Sequence, residues 1–104
     1  MYKICLVEDE LDLSNLIKLY LEKEGYEVVQ YTEGNQAVSN VGNNFDLWIL
    51  DIMLADDISG YDVLKKIKQY NQNTPVIFTS ARDKDIDKII GLELGSDDYL
   101  AKPF

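Results

Sequence analysis

The stretch Leu47-Trp48-Ile49-Leu50-Asp51 decides the fold: four consecutive apolar residues end on a carboxylate. A short continuous apolar run of this kind reads as a strand buried on both faces, as in a parallel sheet. Three other stretches behave alike. Ile4-Cys5-Leu6-Val7 ends in Glu8 and Asp9, Val76-Ile77-Phe78-Thr79 ends in Ser80, and a short run around Tyr99-Leu100 is followed by Lys102-Pro103. Parallel strands put all their C-termini on one edge, so three acids, a hydroxyl and a lysine converge there. Such a set suits a small hard cation together with a phosphoryl group.

Working outward, the segments between these runs have helical spacing. Residues 10–24 carry Leu13, Leu16, Ile17, Tyr20 and Leu21 on one side, with Gly25 where a helix stop is expected. Val28, Val29 and Tyr31 mark a second strand, and a weak helix over about 34–41 ends near Gly42. The third strand is expected at about 46–50, and Gly60 opens a helix with Val63, Leu64 and Ile67. Asn71 to Thr74 reads as a loop, Pro75 as the start of the fourth strand, 84–94 as a helix with Ile86, Ile89, Ile90 and Leu94, and 97–100 as the last strand. Strands alternating with helices predict an α/β fold, a doubly wound parallel sheet with right-handed crossovers. Such a sheet is expected to close with a helix over its last strand. The sequence stops at Phe104, so that final helix is expected to be missing, with Leu100 and Phe104 partly uncovered.

With 104 residues, 46% of them hydrophobic, the chain is expected to form one domain with a real core. A net charge of −9 argues against binding nucleic acid or anionic membrane unaided. Histidine is absent, which excludes a Ser-His-Asp triad, histidine metal ligation and a phosphohistidine carried on this chain. Cys5 is the single cysteine, so there is no internal disulfide; its apolar strand suits a small buried hydrophobe. Neither a signal peptide nor a membrane-length apolar run is read, which points to a cytoplasmic protein.

Glu8, Asp9 and Asp51 on one edge would crowd three negative charges, of which Lys102 offsets one. A divalent cation removes the remaining repulsion. Mg²⁺ prefers a few carboxylate oxygens plus waters, so Asp9 and Asp51 are the expected direct ligands. Glu8 would act through water, and the Met53 carbonyl would complete the protein's share. The hydroxyl and the lysine make sense if Asp51 becomes phosphorylated, since charge on the transferring oxygens must be balanced. Lys102 would then take one oxygen and Ser80 donate to another, while small Ala81 leaves room for a bulky donor.

These residues carry a resemblance. Val7-Glu8-Asp9-Glu10, Asp46 through Leu54, Pro75 through Asp83 and Gly91 through Phe104 together resemble a response-regulator receiver domain across essentially the whole chain. Ser80-Ala81-Arg82-Asp83 and Gly95 through Phe104 are most similar to OmpR/PhoB-type regulators, in which a winged-helix DNA-binding domain follows. The resemblance implies a flavodoxin-like sheet of strand order 2-1-3-4-5, with residues 1–104 forming a receiver cut short after strand five. It implies Asp51 as phosphoacceptor from a sensor histidine kinase, with catalysis limited to the chain's own phosphorylation and dephosphorylation. Glu8, Asp9, Asp51 and the Met53 carbonyl would hold Mg²⁺, and Lys102, directed by a cis bond before Pro103, would bind phosphate. Ser80 and Tyr99 would be a switch pair that reshapes the face of the fourth helix and last strand, where Gly91 makes the helix marginal. Lys88, Asp97 and Asp98 would pair there across a homodimer formed on phosphorylation. Transcription would be controlled through an output domain outside these residues.

Two local departures stand out. Ala55 replaces the usual proline, and one residue is inserted before Gly60, giving Ala55-Asp56-Asp57. Asp56 or Asp57 is therefore expected to tune metal affinity or phosphoryl lifetime. Ser80 stands where threonine is common. Three competing readings fare worse. A flavin carrier needs a phosphate-cradling loop after strand one, where Glu8-Asp9-Glu10 would repel phosphate. A haloacid-dehalogenase-type phosphatase needs an acid where Met53 stands. A purely protein-binding pseudo-receiver would lack the acids.

Overall fold

The structure is a computed structural model and describes residues 2–52, 54, 58–80 and 98–101. The element order is β1 (Lys3–Val7), α1 (Leu11–Lys23), β2 (Glu27–Tyr31), α2 (Gly34–Val38), β3 (Leu47–Asp51), α3 (Gly60–Tyr70), β4 (Val76–Ser80) and β5 (Asp98–Ala101). All four strand pairings are parallel. The sheet runs β2-β1-β3-β4-β5, the flavodoxin-like order expected above. The expected helix over 84–94, with Gly91, lies outside the described residues.

β1 buries both faces, whereas β3 and β4 bury one face fully and leave Leu47, Ile49 and Ile77 half-buried on the other. Cys5, Val7, Trp48, Leu50, Val76 and Phe78 pack against Ala37 of α2 and Val63, Leu64 and Ile67 of α3. Edge-on aromatic pairs fix this layer, Tyr61 against Phe78 at 5.2 Å and Phe45 against Trp48 at 5.1 Å. Ile4, Leu6 and Val28 alternate onto the other face, where α1 lies.

Helix ends follow capping chemistry. Ser59 and Asp62 form a reciprocal capping box at the start of α3. Gly25, at φ 93°, ends α1 in a Schellman turn: its N–H donates to the Glu22 carbonyl, and the Tyr26 N–H donates to that of Leu21.

Several boundaries correct the sequence reading. α2 stops at Val38, short of 41, because the Ser39 hydroxyl and Asn40 amide donate back to the carbonyls of Asn35 and Gln36. Asp46 precedes β3, its carboxylate accepting the Lys3 N–H at 2.8 Å, and Asp51 is the last residue of that strand. β4 begins after Pro75, and β5 is shifted one residue onward. On α1 the apolar positions do not all face inward. Leu16 is 50% and Tyr20 63% exposed, while Ser14 is buried with its hydroxyl accepting from Gln30 of β2 at 2.8 Å. That bond draws the Ser14 side of α1 onto the sheet and turns Leu16 and Tyr20 outward.

Candidate functional site

The site grows from three strand ends. β1 delivers Glu8 and Asp9. The Glu8 N–H donates to the Tyr31 carbonyl at 3.0 Å, which carries the sheet's alignment one residue past β1. The Glu8 side chain folds back so that Oε2 accepts the Glu10 N–H at 3.1 Å. Glu8 is 1% and Asp51 3% exposed, while Asp9 faces solvent. Val7 pairs with Leu50, so Glu8 and Asp51 are the next step along neighbouring strands. One carboxylate oxygen from each of Glu8, Asp9 and Asp51 lies within 4.8 Å of the others.

The end of β3 is held tightly. Asp51 pairs with Thr79, and the Ile52 N–H donates to the Thr79 carbonyl at 3.0 Å. The chain then returns to α3, where the Gly60 N–H donates to the Ile52 carbonyl at 2.9 Å. A Cβ on Gly60 would stand 2.3 Å from the Asp51 carbonyl oxygen, so only glycine fits this approach.

Buried carboxylates are costly unless paired, and two that converge add mutual repulsion. For Glu8 and Asp51 that repulsion is about 3 kcal/mol at 4.8 Å and an effective dielectric of ~20. Oxygen donors from hard anionic side chains, crowded at one point, fit a hard divalent cation. Nearby, burial pushes the Cys5 thiol well up, opposed by the charge of Lys3. Burial also raises the Tyr31 phenol, with Cys5 adding to the rise and an Asn43 hydrogen bond opposing it.

The structure thus brings together Glu8, Asp9 and Asp51, as the sequence implied. By backbone position, Ser80 ends β4 opposite Ala101, Tyr99 pairs with Phe78, and Asp98 pairs with Ile77. Met53, Ala55, Asp56, Asp57, Ala81, Lys88, Asp97, Lys102, Pro103 and Phe104 lie outside the described residues. A cleft of roughly 200 Å³ lies at the other edge of the sheet, lined by residues such as Asp46 and Thr74 that precede β3 and β4. It is remote from the acids. Sequence reasoning missed the tight fit of Gly60 and the anchoring of Glu8 by the Glu10 N–H. Gly60 had been legible only as a helix start.

A family model described as the response regulator receiver domain matches residues 4–104. The chain belongs to that family. The receiver is 52% identical over 103 residues to the transcriptional regulatory protein CssR of Bacillus subtilis (strain 168), covering 99% of this chain and 45% of CssR. It is 45% identical over 104 residues to CpxR of Escherichia coli (strain K12), also named a transcriptional regulatory protein, covering 100% of this chain and 44% of CpxR. These names agree with the OmpR/PhoB-type resemblance. The receiver spans a little under half the length of these curated relatives. Among solved structures it is similar to the BeF3-activated N-terminal receiver domain of Klebsiella pneumoniae RstA, with a TM-score of 0.89 at 32% identity, covering 98% of this chain and 86% of that one. Among the described residues of the receiver, no helix is long and apolar enough to cross a membrane.

Proposed function

We propose that Asp51 accepts a phosphoryl group from the phosphohistidine of a sensor histidine kinase, in a Mg²⁺-dependent transfer. The observation that carries this reading is the meeting of Glu8, Asp9 and Asp51 oxygens within 4.8 Å at the C-terminal edge of the sheet. An oxygen of Asp51 attacks phosphorus as the phosphorus–nitrogen bond of the donor breaks. The imidazole nitrogen leaves with the bonding pair and takes a proton, and Asp51 becomes an acyl phosphate. Mg²⁺, held by Glu8, Asp9, Asp51 and the Met53 carbonyl, would supply positive charge to the transferring oxygens. Lys102 and the Ser80 hydroxyl would balance the remaining phosphoryl charge. Loss of the group needs only water attacking phosphorus with the carboxylate leaving, so the domain acts as a timed signal carrier.

Downstream of Asp51, Ser80 and Tyr99 would reset the face that bears Lys88, Asp97 and Asp98, favouring a homodimer. DNA contact and transcriptional control would belong to an output domain like the remainder of the longer relatives. The setting would be cytoplasmic. The test is incubation with acetyl phosphate and Mg²⁺, read by intact mass and peptide mapping. A single phosphoryl adduct on Asp51, lost with EDTA and in Asp51→Ala, is expected. An adduct that persists in Asp51→Ala would overturn the assignment.

A further inference from the structure

The two smallest residues on the inner face of α2, Gly34 and Ala37, are both buried. Gly34 is packed more tightly than a helix start requires. A Cβ there would stand 2.7 Å from the Ile58 carbonyl oxygen and 2.8 Å from both Cβ and Cγ2 of Ile58. Ile58 belongs to the limb that returns from the end of β3 to α3. Two residues later, Gly60 rests on the main chain of Asp51 and donates to the Ile52 carbonyl. The Gly34 end of α2 is itself held, because the Gln36 amide oxygen accepts the N–H groups of Thr32 and Glu33 at 3.1 and 3.2 Å. A continuous chain of contacts therefore runs from the start of α2, through Ile58 and Gly60, to the main chain of Asp51.

We propose that Gly34 is a positioning residue for the carboxylate site: its bare Cα lets Ile58 seat against α2, and that seat sets where the Asp51 end of β3 is held relative to Glu8 and Asp9. The inference rests on the cation-assisted reading of that site given above. A methyl group at position 34 must displace Ile58, and two of the three atoms it meets are main chain or Cβ, which cannot swing aside. The displacement passes to the Ile58–Gly60 limb and from there to Asp51. Oxygens that must share one small ion tolerate little relative movement. α2 thus influences cation affinity while contributing no ligand.

The test compares Gly34→Ala with Gly42→Ala, whose added methyl has its nearest contacts with the Tyr70 side chain, the first at 3.6 Å, and with the core variant Ile67→Val as a stability control. Mg²⁺ affinity is measured by calorimetry on the full chain, alongside the acetyl phosphate reaction at saturating Mg²⁺. Gly34→Ala is expected to weaken Mg²⁺ binding about tenfold, the lower end of what loss of a ligand-orienting contact costs in metal affinity. Gly42→Ala and Ile67→Val should match the parent. Should Gly34→Ala fail to fold, Ile58→Ala alone removes the Cγ2 part of the seat from the other side and should weaken Mg²⁺ binding severalfold. Unchanged affinity in the folded variants, or an equal loss in Ile67→Val, overturns the proposal. A parent chain that takes no phosphoryl group at Asp51 would instead overturn the reading on which it rests.

Discussion

Replacing Asp51 by asparagine should make the metal-free receiver more stable. The side chain is almost fully buried and shares its edge with buried Glu8, an oxygen of each lying within 4.8 Å of the other. Removing one charge relieves about 3 kcal/mol of repulsion at an effective dielectric of ~20. Asparagine keeps the shape but weakens the hydrogen bonds that a carboxylate accepts, at a cost of about 1–2 kcal/mol. The expected net gain is about 1–2 kcal/mol, or roughly 5–10 °C in Tm for a chain of this size. Mg²⁺ should reverse the order. At a hundred times its Kd, the ion stabilises the parent by about 2.7 kcal/mol through mass action, and a chain lacking one ligand gains far less. Urea unfolding followed by Trp48 fluorescence, in EDTA and again in Mg²⁺, reads both effects. Were Asp51→Asn less stable than the parent in EDTA, and equally stabilised by Mg²⁺, the crowded-carboxylate argument would fail.

Gly60→Ala should cost about 3 kcal/mol or more, because its methyl meets the Asp51 main chain, and denaturant melts should show it. Ser59→Ala removes one half of the α3 capping box and should cost about 1 kcal/mol in the same assay. Burial holds the Cys5 thiol above its ordinary value of 9.0, so the folded chain keeps a proton that the unfolded chain releases. That contribution is intact below the ordinary value and drains as pH rises towards the folded-state one, by about 1.4 kcal/mol per pH unit. Stability should therefore fall more steeply above pH ~9 in the parent than in Cys5→Ala, and Ellman's reagent should leave the folded thiol unlabelled at neutral pH.

The strands were legible because runs such as Ile4–Val7 and Leu47–Leu50 hold no polar residue to turn towards water, although Leu47 and Ile49 end only half-buried. Convergence of Glu8, Asp9 and Asp51 followed from parallel topology alone, since strand tips must share an edge. The orientation of α1 was not legible. Its apolar residues span too wide an arc for spacing to choose the inward side, and the deciding contact is a polar one between Ser14 and Gln30 from another element. The early end of α2 likewise depends on Ser39 and Asn40 competing for carbonyls, which hydrophobic spacing does not register. The fit of Gly34 on Ile58 and of Gly60 on Asp51 was invisible, because close approach between segments leaves no periodic trace in the chain.

The strand that carries Glu8 lies between β2 and β3, so the acidic trio is assembled by sheet pairing rather than by any local loop. A nascent polypeptide that has emerged only through β2 holds two of the three acids and nothing to confront them with. On the proposed reading, until β3 zips alongside β1 a phosphodonor would meet only a scattered aspartate in open water. On that reading, misfolded copies would be mute by default, and only a completed sheet could be addressed from upstream.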